Sequence, residues 1–230
     1  MKMLQMGWTV ALACLLAVCA APANGQSAHR QRRESSATRK SRIQRTITDT
    51  YTHRWEVGGG GGYQRFRSGG NLQQNNELAF WTTTNYALNE KLGVVGEVHG
   101  AYGNAKVGNN GLINYNPQIS EYTFTVGPSY RFAMAEKYSV SGFIGGGAAI
   151  GKFDGGAKGF TSADFQKAGY DLWSSGTAAA FTAGVNLDYH FFPNLSARIT
   201  PTYIGTTFGS SIQNGKGLNI GLVYRFGRIK

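Results

Sequence analysis

The side chains of this 230-residue chain that could do chemistry are scattered, and each has an inert reading beside the reactive one. Gly146-Gly147-Ala148-Ala149-Ile150-Gly151-Lys152-Phe153 comes close to a phosphate-binding loop. Such a loop needs Ser or Thr after the lysine to hold Mg²⁺, and a helix whose N-terminus faces the phosphates. Phe153 stands at that position and the surrounding pattern is that of a strand. The segment therefore reads as a glycine-rich strand, in which small side chains let a wall bend or let packed groups approach. The glycines at 58–62 lack Gly-x-Gly-x-x-Gly spacing, because Tyr63 and Gln64 occupy the positions where the last glycine would fall. They read as a strand interior thinned so that bulkier side chains can fill a narrow bore. His29, His53, His99 and His190 include no pair with metal-ligand spacing. Serines are many, but no local motif marks one as a nucleophile to converge with a histidine and an acid. No metal, cofactor or catalytic residue is expected. What remains is a set of isolated charges, Glu56, Glu97, Glu121, Arg131, Asp188, Arg198 and Arg225. Enclosed together they would neutralise one another, since an unpaired buried charge is expensive. The sharper alternative is a salt-bridge plug that rearranges to pass small ions.

These charges sit in segments that alternate apolar with polar or small side chains, the period-two signature of strands with two different faces. Eight such segments are expected, at 55–66, 78–88, 92–102, 121–132, 138–153, 177–190, 195–206 and 218–226. One face carries Leu78, Phe80, Tyr86 and Leu88, then Tyr122, Phe124, Val126, Tyr130 and Phe132. It continues with Phe181, Val185, Leu187 and Tyr189, and ends with Leu218, Ile220, Leu222, Tyr224 and Phe226. The opposite face carries the charges, His99 and His190, and residues such as Thr123, Thr125, Ser129, Asn186 and Asn219. Pro128 and Pro201 fall within strands, where proline removes a ladder hydrogen bond, so each is expected at a bulge or a rim.

The connections alternate long and short: 67–77, 103–120, 154–176 and 207–217 against 89–91, 133–137 and 191–194. All long loops thus fall at one end, together with an even strand count that puts both chain ends at the other. Membrane barrels sort their loops in this way and soluble sandwiches have no reason to. A soluble barrel and a membrane barrel show the same alternation with opposite faces inward. Three features favour the membrane. Aromatic residues cluster near strand ends (Trp55, Tyr86, Tyr102, Tyr122, Phe132, Tyr138, Tyr189, Tyr224, Phe226), the polar face carries full charges that could pair, and the strands are long enough to cross when tilted. After the N-terminal segment no apolar stretch of about 20 residues exists. A closed all-β barrel is then the remaining way to satisfy every backbone group in lipid.

Composition agrees. Glycine is 33 of 230 residues, about twice ordinary usage, and charged residues are only 15%. The net charge is +11, but residues 1–50 hold 8 Lys/Arg against 2 Asp/Glu, so the basic character belongs largely to the N-terminal fifth. It argues weakly for nucleic acid as a partner. Lys2 and the apolar run 8–21, with small residues at Ala21, Ala23 and Gly25, read as a secretory signal peptide cleaved near 25. Both cysteines, Cys14 and Cys19, lie inside it, so the mature chain would have no disulfide and no thiol. Leu16-Ala17-Val18-Cys19 fits a lipoprotein signal poorly at Val18. Residues 26–53 are polar and basic with no apolar periodicity, and read as a disordered linker. A sharper reading makes them a tether touching anionic lipid or cell-wall polymer. The barrel domain would then be 54–230.

The last segment, Asn219-Ile220-Gly221-Leu222-Val223-Tyr224-Arg225-Phe226, resembles the signal by which the outer-membrane assembly machinery recognises its clients. Asn219, Gly221, Tyr224 and Phe226 fill its four fixed positions, although Gly227-Arg228-Ile229-Lys230 follow. With Val57-Gly58-Gly59-Gly60 and Val126-Gly127-Pro128-Ser129-Tyr130-Arg131-Phe132, the stretch 55–226 resembles the small outer-membrane β-barrel family of OmpA-type and OmpX-type barrels. The resemblance implies an eight-stranded antiparallel up-and-down transmembrane barrel with periplasmic termini. Its surroundings would be lipid and lipopolysaccharide, and its partners during biogenesis the barrel-assembly machinery and periplasmic chaperones. The family has no single activity. A structural, envelope-integrity or adhesion-like role is expected. The alternatives are a narrow ion pore, a soluble lipocalin-like ligand carrier and a lipid-modifying enzyme. Phe160, Phe165, Tyr170 and Trp173 in the loop 154–176 could contact an extracellular ligand or surface, or pack the loop on the barrel mouth.

Overall fold

The computed structural model describes residues 35–107, 116–155, 161–167, 169, 171–209 and 212–229. The expected signal peptide, both cysteines, His29, Phe160 and Tyr170 lie outside the described residues. The chain divides into two units, Met1–Lys40 and Ser41–Lys230.

A helix α1 (Ser36–Tyr51) precedes eight strands: β1 (Trp55–Arg67), β2 (Gln74–Ala87), β3 (Leu92–Asn104), β4 (Gln118–Met134), β5 (Tyr138–Gly155), β6 (Gly176–Phe192), β7 (Leu195–Thr206) and β8 (Gln213–Phe226). A one-and-a-half-turn helix α2 (Ser162–Lys167) lies between β5 and β6. Each strand pairs antiparallel with the next, and β8 returns to β1, closing an up-and-down barrel. Closure removes the exposed edge an open sheet would leave. The seam is tight: Gly60 faces Gly221, and a Cβ on Gly60 would lie 2.1 Å from the Ile220 carbonyl oxygen. Only glycine on both strands allows that approach.

The apolar face points outward. Leu78 is 76% exposed, and Phe132 and Ile144 are each 65% exposed, while Glu56, Glu121, Arg198 and Arg225 are buried. This excludes the lipocalin-like alternative, which needs the apolar side chains inside.

Strands run further toward the loop end than the sequence pattern suggests. β2 begins at Gln74 and β8 at Gln213, so the connections 68–73 and 207–212 are shorter than expected. The turns at the other end, 88–91, 135–137 and 193–194, are short as expected.

Two expectations change. Residues 36–51 are helical where a disordered linker was expected. The missed signal is a stripe at Ile43, Thr46, Ile47, Thr50 and Tyr51, spaced i, i+3, i+4, i+7, i+8, which is the less exposed side of α1. Threonines within it hid the period. Ser35 caps the helix start, its Oγ accepting from the Thr38 N–H at 3.2 Å.

Pro128 and Pro201 lie neither at bulges nor at a rim. The β4–β5 ladder passes from Val126↔Gly146 to Ser129↔Phe143 without a register shift, and β6–β7 passes from Gly184↔Thr202 to Leu187↔Ile199 likewise. Each proline skips rungs on one side and keeps its pairing on the other, with Val94 and Leu218 respectively.

Candidate functional site

Strand parity delivers the interior. Glu56 on β1, Arg131 on β4, Asp188 on β6, Arg198 on β7 and Arg225 on β8 all point inward near the short-turn end. Glu56 is the cross-strand partner of Arg225, and Asp188 of Arg198. Five ion pairs join them. Glu56 takes Arg131 Nη2 at 2.6 Å, Arg225 Nε at 2.9 Å and Arg198 Nη2 at 3.3 Å. Asp188 takes Arg198 Nε at 2.6 Å and Arg225 Nη2 at 2.8 Å. Three guanidiniums thus share two carboxylates. The surplus donors go to neutral oxygens: Arg131 Nη1 donates to the Glu90 carbonyl at 2.5 Å, and Arg225 Nη1 to Ser196 Oγ. Arg suits such a lattice because its planar fork serves two acceptors at once. The void beside the network is about 20 Å³, room for about one water.

Glu97 and Glu121, expected in the same network, do not join it. Glu97 Oε1 has no hydrogen-bond partner among the described residues. Glu121 accepts only a long bond from Gln64 Nε2 at 3.4 Å. Glu77 was missed, because the sequence pattern put it in a loop. It is 1% exposed, faces Gln64 across β1–β2, and neither of its carboxylate oxygens is bonded among the described residues. Inward parity carried back from Thr83, Trp81 and Ala79 would have found it. Among the described residues no group of three or more His, Cys, Asp or Glu could hold a metal ion.

The loop end is shut by an apolar plug. Phe66, Ala105, Ile119, Ala149, Phe153, Phe165, Leu172, Ala180 and Phe208 form one buried cluster, with Phe153 5.0 Å from Phe208 and 6.3 Å from Phe66. Phe165 reaches it from α2, whose first turn is held by a reciprocal capping box. The Thr161 N–H donates to Asp164 Oδ2 at 2.8 Å, and the Asp164 N–H donates to Thr161 Oγ1 at 3.4 Å. The backbone bond from Thr161, followed by its hydroxyl, holds the Asp164 carboxyl below the usual carboxylate range. Trp173 packs against the cluster and donates Nε1–H to the Arg67 carbonyl at 2.9 Å. Phe165 and Trp173 therefore pack the loop onto the mouth; Phe165, at 2% exposure, offers no surface to a ligand.

At the short-turn end the last turn of α1 meets the barrel. Tyr51 is buried, its hydroxyl oxygen 2.7 Å from the Ala135 carbonyl and 3.1 Å from His190 Nε2. Arg131 lies over its ring at 5.1 Å. His190 Nδ1 stands 2.6 Å from Ser196 Oγ, the one serine–histidine contact among the described hydrogen bonds, and both residues are buried inside the barrel.

Outside, rings gather at two levels. Near the short turns Trp55 lies 4.8 Å from Tyr86, Tyr189 5.4 Å from Phe191 and Tyr224 6.1 Å from Phe226. Toward the loops Tyr102 and Tyr122 are 5.8 Å apart with their hydroxyls bonded. Rings at two levels flanking an apolar band are the girdles of a membrane-spanning barrel. No helix among the described residues is long and apolar enough to cross a membrane. The four residues of the assembly-signal pattern lie on β8: Tyr224 and Phe226 outward, Gly221 at the seam, and Asn219 inward with Nδ2 donating to Thr202 Oγ1 at 3.2 Å.

Neither a protein-family model nor a curated protein sequence matches the chain. Solved structures do. Neisserial surface protein A is 12% identical, with 75% of this chain and 97% of that chain covered and a TM-score of 0.51. The chain has the fold of a small outer-membrane β-barrel. The outer membrane protein OprG from Pseudomonas aeruginosa is 13% identical over 77% of this chain and 98% of that one, with a TM-score of 0.49. Ail, the attachment invasion locus protein of Yersinia pestis, solved with the heparin analogue sucrose octasulfate, is 20% identical over 75% and 97%, with a TM-score of 0.48. At these identities the likeness of this barrel to the others is one of fold.

Proposed function

We propose that this barrel is an integral protein of the bacterial outer membrane with a structural or surface-interaction role. Its loops face outward, and α1 and the C-terminus face the periplasm. The observation that carries the reading is the reversal of faces: an apolar exterior around a charged interior in which Glu56 and Asp188 pair with three arginines. Water outside would favour the opposite arrangement. Lipid and lipopolysaccharide would then contact the wall. The barrel-assembly machinery would read Asn219, Gly221, Tyr224 and Phe226, and chaperones would carry the chain across the periplasm.

The filled interior speaks against a constitutive pore. An ion entering from the short turns meets Tyr51 and five ion pairs, and one entering from the loops meets the apolar plug. A lipid-modifying activity lacks support as well, because Ser196 and His190 are sealed inside the wall rather than presented to lipid. Contact with the environment would fall to the outer loops.

Electrophoresis of the folded protein with and without boiling tests the reading. A band that shifts on boiling, together with a detergent requirement for solubility, is expected. A stable monomer in plain buffer would overturn it.

A further inference from the structure

Both mid-strand prolines line one groove on the outer wall. It has a volume of about 760 Å³, within the about 300–1,000 Å³ typical of ligand sites. Its floor includes Pro128, Gly142, Ala183 and Pro201, and Ile144 and Val185 stand along it. Missing rungs and small side chains account for the depression, since β4–β5 and β6–β7 both skip pairing beside it. The groove climbs diagonally. Leu92, near a short turn, pairs with Tyr130, which pairs with Gly142; Gly142 pairs with Val185, and Thr202 pairs with both Gly184 and Gly217. It ends at Lys216, toward the loops.

The groove has a charged end. Lys216 lies directly opposite Arg65 across the β1–β8 seam, and both side chains are exposed. Among the described residues neither is ion-paired. Like charges directly opposite each other on paired strands repel. An anion held between them would remove the repulsion, and a phosphate fits, since Arg offers a two-pronged donor and Lys a point charge. A second wall groove of about 410 Å³, lined by Thr82, Val98, Phe124, Val126 and Gly146, has no cation in its lining. The first groove joins an apolar trough to a basic end.

We infer that this wall carries a binding site for lipid A, the phosphorylated, multiply acylated glycolipid of the outer leaflet. One acyl chain lies in the groove floored by Pro128, Gly142, Ala183 and Pro201, and a phosphate sits on Arg65 and Lys216. The inference rests on the outer-membrane reading, because it needs the loop end of the strands in the outer leaflet.

Native mass spectrometry of the full chain, folded in micelles and offered lipid A, dephosphorylated lipid A or phosphatidylglycerol, tests it. Lipid A should be retained in preference to the other two. The R65Q/K216Q variant should lose that preference, and A183W, which fills the trough, should bind several-fold less lipid A. Equal retention of the three lipids, or unchanged lipid A binding in both variants, would overturn the inference. The boiling shift of the same samples keeps the two readings apart. A shifted band with no lipid A preference sinks the lipid site alone, whereas a detergent-free soluble monomer sinks the membrane reading with it.

Discussion

Arg225 Nε stands 2.9 Å from Glu56 Oε1, and the two residues face each other across the seam where the last strand meets the first. The same glutamate also takes Arg131 and Arg198. Removing Glu56 would leave three buried arginines with Asp188 alone, at a cost of about 3–5 kcal/mol, whereas removing Arg225 leaves two arginines for two carboxylates and costs less. E56Q and R225Q should each lower the urea midpoint of the micelle-folded barrel. The double variant should lose less than the sum of the two by about 1 kcal/mol or more. Strict additivity would mean the pair is not coupled.

Tyr51 ties α1 to the barrel through one buried hydroxyl. Burial raises its pKa above 10.0, against hydrogen bonds and the charges of Arg131 and Arg225 that pull the other way. The folded value therefore exceeds the unfolded one. Its contribution is complete below the unfolded value of about 10 and is lost as pH rises through the raised folded value. Hydrogen exchange in α1 should accelerate above that pH. Y51F should lose about 1 kcal/mol of docking and flatten the alkaline dependence. An α1 that exchanges identically in both proteins at every pH would contradict the docking.

Phe165 fills the plug from a six-residue helix. F165A should open a cavity worth about 3 kcal/mol to the packed loop. Limited proteolysis should then cut within 156–175 faster, while the boiling shift of the barrel persists. Unchanged cleavage would place Phe165 outside the plug.

The assembly pattern on β8 separates recognition from packing. Y224A and F226A change outward rings only, so refolding from urea into micelles should be near normal while the folded amount in cells falls. G221V should fail in both settings, because a Cβ there would lie 2.2 Å from the Gly59 carbonyl oxygen. Normal cellular levels of F226A would argue against reading by the assembly machinery.

Strands were readable because a two-faced wall imposes period two, and the sites show where that signal ends. Glu56, Arg131, Asp188, Arg198 and Arg225 could be assigned to the interior by parity alone. Their sharing of two carboxylates could not, since it depends on five strands meeting across the bore. Glu97 and Glu121 have the same parity but sit at other heights, and among the described residues neither forms an ion pair with the arginines. Helix α1 went unseen because threonines at 46 and 50 interrupt its apolar stripe, and whether Phe165 packs or meets a ligand stayed open because loop packing leaves no period.

By itself the sequence determined the strand number, the alternation of faces and the sorting of loops to one end, all of which are local or additive properties of the chain. The outward apolar face, favoured by the aromatic strand ends and the charges of the polar face, is what the structure shows; only the tertiary structure decided which charges paired, and that Pro128 and Pro201 line one groove. Those outcomes depend on ring closure, which sets the height of each strand against residues far away in the chain.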